Sequence, residues 1–348
     1  MHRATDAAGS RPARPGSSRA AEEIHARSLA EKPDRTCHGY GKNIESFSAQ
    51  ERQETLEYWT DERLRRAKPV ESPTAPAETP RRIHEEKESG QGSTDASAPP
   101  AEEAEAISTE NPEKVDPNVR PFWNCGKFFL TQVNPAGGTQ DYQGSAAFVG
   151  DPKVVMTAGH CASAGTSGRI NTKFLFIRSA WSSIFGWVGQ KISFSHCAVP
   201  DEWSVNGNYA YDYAFLQAHE RSEAGWLGLD CRPQNSGIPS ISVGYPQNYG
   251  NANDMYAVRG TADYDIEGID RMPQNPFSHG CSGGPWIIYW SNQYAPDNNR
   301  AISLNSFGVA GYPGVWGPRF DGRTFDLFRA TRDYQPPSAG DLHSAAGG

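Results

Sequence analysis

Long apolar runs are missing from this 348-residue chain. No stretch approaches about 18 consecutive apolar residues, which excludes a helical membrane span. The start, rich in Arg, Ala, Pro and Gly, has no apolar run of roughly 7–15 residues, so no secretory signal is visible. Positive charge is also short: 33 Lys and Arg face 41 Asp and Glu, leaving −8. General binding to a phosphate backbone needs a basic face, so nucleic acid is excluded as a partner. Only six cysteines occur, at 37, 125, 161, 197, 231 and 281, and none form a Cys-x₂–₄-Cys pair. Zinc-site spacing is therefore absent, and no metal or cofactor is expected.

Aromatic residues are scarce in one part only. Residues 1–116 hold four (Tyr40, Phe47, Tyr58, Trp59) but 40 charged residues, whereas residues 117–348 hold 34 aromatics and 34 charged residues. A stretch so charged and so poor in aromatics cannot bury a core by itself. Residues 1–116 read as a mostly disordered segment and linker, Pro-, Glu- and Ser-rich from Pro69 to Pro112, with basic pairs such as Arg81-Arg82 where it can be cut. One helix is expected near 49–67, because Ser48 and Glu51 have capping-box spacing and Pro69 ends the pattern. Leu56, Trp59, Leu64 and Ala67 give it a partial apolar stripe.

From Lys127 onward, short β-branched and aromatic runs alternate with turn signals, for example Val154-Val155-Met156, Tyr213 to Leu216 and Trp286 to Trp290. No internal repeat and no βαβ alternation is visible, and helical periodicity returns only around Arg323 to Thr331. The expectation is an all-β domain over 117–335, barrels or a sandwich, with one late helix and a flexible tail at 336–348.

Three segments bear chemistry. Thr157-Ala158-Gly159-His160-Cys161 follows a strand, Asp212 opens the strand Tyr213 to Leu216, and Gly280-Cys281-Ser282-Gly283-Gly284-Pro285 enters another. A serine hydroxyl is a weak nucleophile until a base takes its proton. The base in turn needs an acid to hold its tautomer, and the developing oxyanion needs N–H donors. The glycines let the backbone turn tightly around Ser282, so the amides of Gly280 and Ser282 are the expected donors. Gly-x-Ser-x-Gly also occurs in α/β-hydrolases, but that fold needs a histidine after the serine. Here only His343, in the polar tail, follows Ser282. The order His160, Asp212, Ser282 is that of chymotrypsin.

With these segments the sequence resembles the chymotrypsin-fold serine proteases, and is most similar to their bacterial glutamyl-endopeptidase-like branch. The likeness covers about 117–335 and includes Val243-Gly244-Tyr245-Pro246, Asn305-Ser306-Phe307-Gly308 and Gly317-Pro318-Arg319-Phe320. Pro-segments of secreted relatives are similar to Tyr58 to Arg63 followed by Ala67-Lys68-Pro69. The resemblance implies two packed antiparallel six-stranded β-barrels with a C-terminal helix. It makes His160 the general base, Asp212 its orienting acid and Ser282 the nucleophile, with Ser306 behind Asp212. Phe307 and Gly308 would offer an edge strand to an extended substrate, with Phe277 and His279 near the pocket.

Three positions depart from the pattern. Cys281 stands where pancreatic-type enzymes carry the Asp that captures a new N-terminus. Pro276 stands at the pocket base and Asn305 replaces the histidine of the glutamyl enzymes, so neither a basic nor a Glu preference has its partner group. By the same resemblance Cys161 pairs locally, with Ser145 near its usual partner's place. Cys197 is the substitute guess, and Cys125–Cys231 a second bridge; Cys37 and Cys281 remain.

The implied protein is a secreted, monomeric serine endopeptidase made as a precursor. Its partners are protein or peptide substrates and its own propeptide, and its activity rises through an imidazole pKa of about 6–7. The rival is an inactive homologue kept as a binding module; a second is an esterase on the same site.

Overall fold

The computed structural model describes residues 42–80 and 112–334, apart from 134–137, 165, 185, 233, 235, 267 and 294–297. The expected tails at 1–41 and 336–348, and the linker over 81–111, lie outside the described residues. The segment before the barrels contains β1 (Lys42–Ser46), α1 (Ala49–Tyr58), α2 (Asp61–Arg66), β2 (Lys68–Pro69), β3 (Thr74–Ala75) and β4 (Glu113–Lys114). The first barrel half follows: β5 (Cys125–Val133), β6 (Thr139–Phe148), β7 (Val154–Thr157), β8 (Thr172–Ser183), β9 (Gly186–Ile192), β10 (Phe194–Pro200) and β11 (Ala214–Ala218). The short helices α3 (Gly159–Ala162) and α4 (Asp201–Ser204) interrupt it. The second half has β12 (Gly228–Leu229), β13 (Ile238–Gly244), β14 (Tyr256–Ile266), β15 (Ile269–Met272), β16 (Pro285–Ile288), β17 (Arg300–Leu304), β18 (Phe307–Val309) and β19 (Tyr312–Pro318). The closing helix is α5 (Gly322–Asp333).

Two curled, largely antiparallel sheets result. One runs β1-β10-β11-β7-β6-β5-β8-β9 and the other β12-β17-β16-β13-β14-β15-β19-β18-β3. Hairpin neighbours such as β5-β6-β7, β8-β9, β13-β14-β15 and β18-β19 pair antiparallel, as short connections require. Part of the excess over six strands per sheet comes from the N-terminal segment: β1 and β2 join the first sheet, β3 and β4 the second. Apolar side chains at alternate or consecutive strand positions (Phe128, Phe129, Ala146 to Val149, Val154 to Met156) are all buried.

Residues 42–80 are ordered although their composition points the other way. The single helix expected near 49–67 is two helices, because Thr60 adopts an extended conformation and its hydroxyl caps α2 by accepting from Arg63 N–H. Ser48 caps α1 reciprocally with Glu51. Trp59, Leu64, Ala67, Val70 and Ala75 bury in the same core cluster as the first sheet. Apolar residues too few for a core of their own thus bury against one that exists already.

Lys127 crosses this core with no exposure at all. Its ammonium donates to the Ala252 carbonyl and lies 4.4 Å from the Trp187 ring centroid and 5.1 Å from that of Tyr245, so a loop of the second sheet is tied to the first. Burial pushes the Lys127 pKa well down. At the far end, Asp321 caps α5 by accepting from the Arg323 and Thr324 amides, and the His196 ring on β10 is 2.7 Å from the Thr331 carbonyl.

Candidate active site

His160 sits on α3 immediately after β7, and Asp212 immediately before β11, which pairs with β7. That pairing brings the two side chains together although 52 residues separate them. Asp212 Oδ2 lies 2.7 Å from His160 Nδ1, and Asp212 Oδ1 accepts from the His160 backbone N–H at 2.6 Å. The Ser306 hydroxyl donates to the same carboxylate from the second sheet. Asp212 is fully buried and the His160 side chain is 9% exposed. Burial, the largest single influence, lowers the pKa of the imidazole; the Asp212 carboxylate and the neighbouring Cys161 together outweigh it and raise that of His160 well above the usual range. Gly159 has to be glycine, since a Cβ there lies 2.7 Å from Trp203 and 2.9 Å from Asp212.

Ser282 lies in the turn before β16. Gly280 and Gly283 both adopt φ +86°, the left-handed region open to glycine. At Gly283 a Cβ also meets Thr157 Oγ1 at 2.2 Å. Two residues whose part here the sequence does not reveal, Ser145 and Asn305, hold this turn. Ser145 on β6 donates its hydroxyl to the Gly280 carbonyl at 2.9 Å and accepts from Tyr245 N–H at 3.0 Å, while its own N–H donates to the Ser282 carbonyl. Asn305, also fully buried, accepts from Ser242, Asn275 and Trp286 through Oδ1 and donates from Nδ2 to the Val243 carbonyl. Its main chain bonds Gly283 and Gly284. Neither type carries chemistry of its own, so nothing in the sequence marks this role, although Asn305 lies in a motif that the resemblance singles out.

Ser282 does not reach His160. The imidazole Nε2 is buried without a hydrogen-bond partner among the described residues, and the Ser282 hydroxyl stands 3.3 Å from that of Ser72. Ser282 is 0% exposed, because residues 68–75 cross over it. The Gly280 N–H donates to the Val70 carbonyl at 3.0 Å, and Ser72 N–H donates to His279 Nδ1 at 3.0 Å. Gly308 N–H donates to Pro73. Phe307 is turned inward, stacked on Trp316, and Phe277 is buried beside Tyr249. Pro276 is exposed, its carbonyl accepting from Asn248 Nδ2. A cavity of about 360 Å³ remains on the His160 side, bordered by Glu71, Tyr142, Trp203 and Tyr209.

The guessed disulfides are a correction. Cys125, Cys161, Cys197, Cys231 and Cys281 are all free thiols, so neither Cys161–Cys197 nor Cys125–Cys231 forms. Cys161 Sγ is directed at the Ser282 carbonyl, 3.9 Å away, whereas Cys197 faces Leu216 in mid-strand. Burial pushes the Cys281 thiol up to about 12 and those of Cys125, Cys197 and Cys231 higher. They are space-filling apolar groups. Cys37 lies outside the described residues. No group of three or more potential metal ligands occurs among the described residues, and no described helix is long and apolar enough to cross a membrane.

No protein-family model and no curated protein matches the sequence. Solved structures do. Protease Anisep from Arthrobacter nicotinovorans superposes with TM-score 0.52 at 24% identity, covering 64% of this chain and 99% of that one. A thermostable serine protease, AL20, from an extremophilic microorganism gives TM-score 0.50 at 24% identity, covering 61% and 98%. A Glu endopeptidase in complex with MPD gives 0.52 at 15%, covering 65% and 99%. The chain has the chymotrypsin fold.

Proposed function

We propose that this chain is a serine endopeptidase, secreted as a precursor and acting as a monomer on protein or peptide substrates. The observation that carries the reading is the buried Ser306–Asp212–His160 series of hydrogen bonds, with the glycine turn of Ser282 lying against Cys161, the residue after His160. A solvated Asp–His pair has little reason to recruit a third residue from the opposite sheet. The fold shared with serine proteases adds to it.

In the reaction, His160 Nε2 takes the Ser282 proton as Oγ bonds to the peptide carbonyl carbon. Asp212 holds Nδ1–H and stabilises the imidazolium. Gly280 and Ser282 amides receive the oxyanion. As the C–N bond breaks, His160 returns the proton to the leaving amine; water then repeats the sequence on the acyl-serine. No metal or cofactor enters these steps. Residues 42–80 cover the site and are the part of the propeptide that docks.

After limited proteolysis of the N-terminal segment, a fluorophosphonate should label the chain, and Ser282→Ala should abolish the adduct. Absence of label after processing means an inactive homologue that only binds. Matched peptide and ester substrates separate a peptidase from an esterase.

A further inference from the structure

The segment over Ser282 has a direction. Its N-terminal end, β2, pairs parallel with β6 (Lys68 opposite Tyr142, Pro69 opposite Gln143), and Val70 N–H continues that ladder to the Gln143 carbonyl. Its C-terminal end, β3, pairs parallel with β18 (Gly308 opposite Thr74, Val309 opposite Ala75). Gly308 N–H donates to the Pro73 carbonyl at 2.9 Å and Ala310 N–H to that of Ala75 at 3.0 Å. Between the two ends, the Val70 carbonyl occupies the Gly280 N–H.

A cleavable peptide runs the other way. Its leaving nitrogen lies C-terminal to the attacked carbonyl and has to meet His160, which stands on the first sheet beside β7, next to β6. The leaving half therefore points toward β6, and the acyl half lies along β18, antiparallel to it, the better-aligned hydrogen-bond pattern. In residues 68–75 the half that follows the Val70 carbonyl lies along β18 instead. The hydroxyl hydrogen-bonded to Ser282 belongs to a side chain, that of Ser72.

We propose that residues 68–75 are an inhibitory strand threaded backwards through the substrate cleft, and that the cleft accepts this sequence as a reversed, uncut peptide even when it is supplied separately. The inference rests on the endopeptidase reading for its polarity argument. It explains why a chain with a complete relay holds Ser282 at 0% exposure, and why an inhibitory segment can lie across a nucleophile without being consumed.

The test uses the full chain. Ala75, 0% exposed, and Val70, 8% exposed, lie at the two ends of the strand, and both substitutions change side chains while the Val70 carbonyl on the Gly280 N–H belongs to the main chain. Ala75→Asp and Val70→Asp each place a carboxylate where it has to leave the protein interior, and if one variant fails to fold the other carries the test. Fluorophosphonate labelling of Ser282 is expected at least tenfold faster than in the unaltered chain. A synthetic peptide of residues 66–80 should restore slow labelling and remain intact by mass spectrometry. Labelling of the folded variants at the unaltered rate, or cleavage of the peptide between Val70 and Glu71, overturns the proposal. If no chain is labelled, the endopeptidase reading fails, and amide hydrogen exchange then decides about the strand. Protection of Gly280, Gly308 and Ala310 in the full chain, lost in the variants, supports its occupancy of the cleft; equal exchange overturns it.

Discussion

At the scale of single residues, the behaviour of His160 follows from its company. Asp212 lies against both its ring and its backbone N–H, and raises the imidazole pKa against the opposing effect of burial. A base works only when neutral, so acylation of Ser282 in the strand-displaced variants should rise with pH on a limb displaced above the 6–7 of a free imidazole. A rate already flat by about pH 7 contradicts this. The sign for stability is opposite. A group whose folded pKa is raised contributes fully below its unfolded value, about 6.5, and that contribution is lost as pH rises through the folded value. Asn305 illustrates a different residue-scale effect. Where a histidine was the expected specificity element, an amide instead satisfies three buried donors, Ser242 Oγ, Asn275 Nδ2 and Trp286 Nε1.

At the scale of elements, α1 and α2 are too short to stand alone, since isolated helices under about 12–15 residues are marginal in water. Their order is borrowed. Trp59 packs at 5.4 Å from Phe129 and donates Nε1–H to the Lys173 carbonyl at 2.5 Å. Tyr58 and Arg63 both bond Asp141 on β6. Trp59→Ala removes a side chain only 2% exposed, and should lower the unfolding free energy by about 3–5 kcal/mol in chemical denaturation. A loss below about 1 kcal/mol means that the helices are an appendage. A stripe of Leu56, Trp59, Leu64 and Ala67 was visible in the sequence, but the break at Thr60 was not marked by Gly or Pro. It depends on a threonine cap, which propensity alone does not separate from a helical threonine.

At the scale of the whole molecule, residues 42–80 are built into both sheets, β1 and β2 on one and β3 on the other. A cut in the 81–111 connection leaves all of those pairings in place. Cleavage at Arg81-Arg82 should therefore yield a complex in which the N-terminal fragment that contains residues 42–80 co-elutes with the barrels on size exclusion, with Ser282 still slow to label. Immediate release of the fragment on nicking contradicts this. Activation then requires destruction or displacement of the strand, not merely severing the link. The uneven charge noted in the sequence acquires a structural sense. The fragment brings exposed charge on its outer face and a small set of buried apolar residues on its inner one.

The chemistry-bearing types and their order are legible along the chain: a histidine after a strand, an acid before one and a serine among glycines, on a β-rich chain. Those are local signals, carried by neighbouring residues and by strand periodicity. The fold alone sets that the serine hydroxyl meets Ser72 and not the histidine, what lies over it, and in which direction. It also decides that the five described cysteines stay unpaired and that Ser145 and Asn305 hold the turn. Such features depend on residues far apart in the chain, Val70 and Gly280 or Ser72 and Ser282. A hydrogen bond between distant segments leaves no period or spacing in the sequence, and the polarity of a bound strand is set by the edges on which it lies.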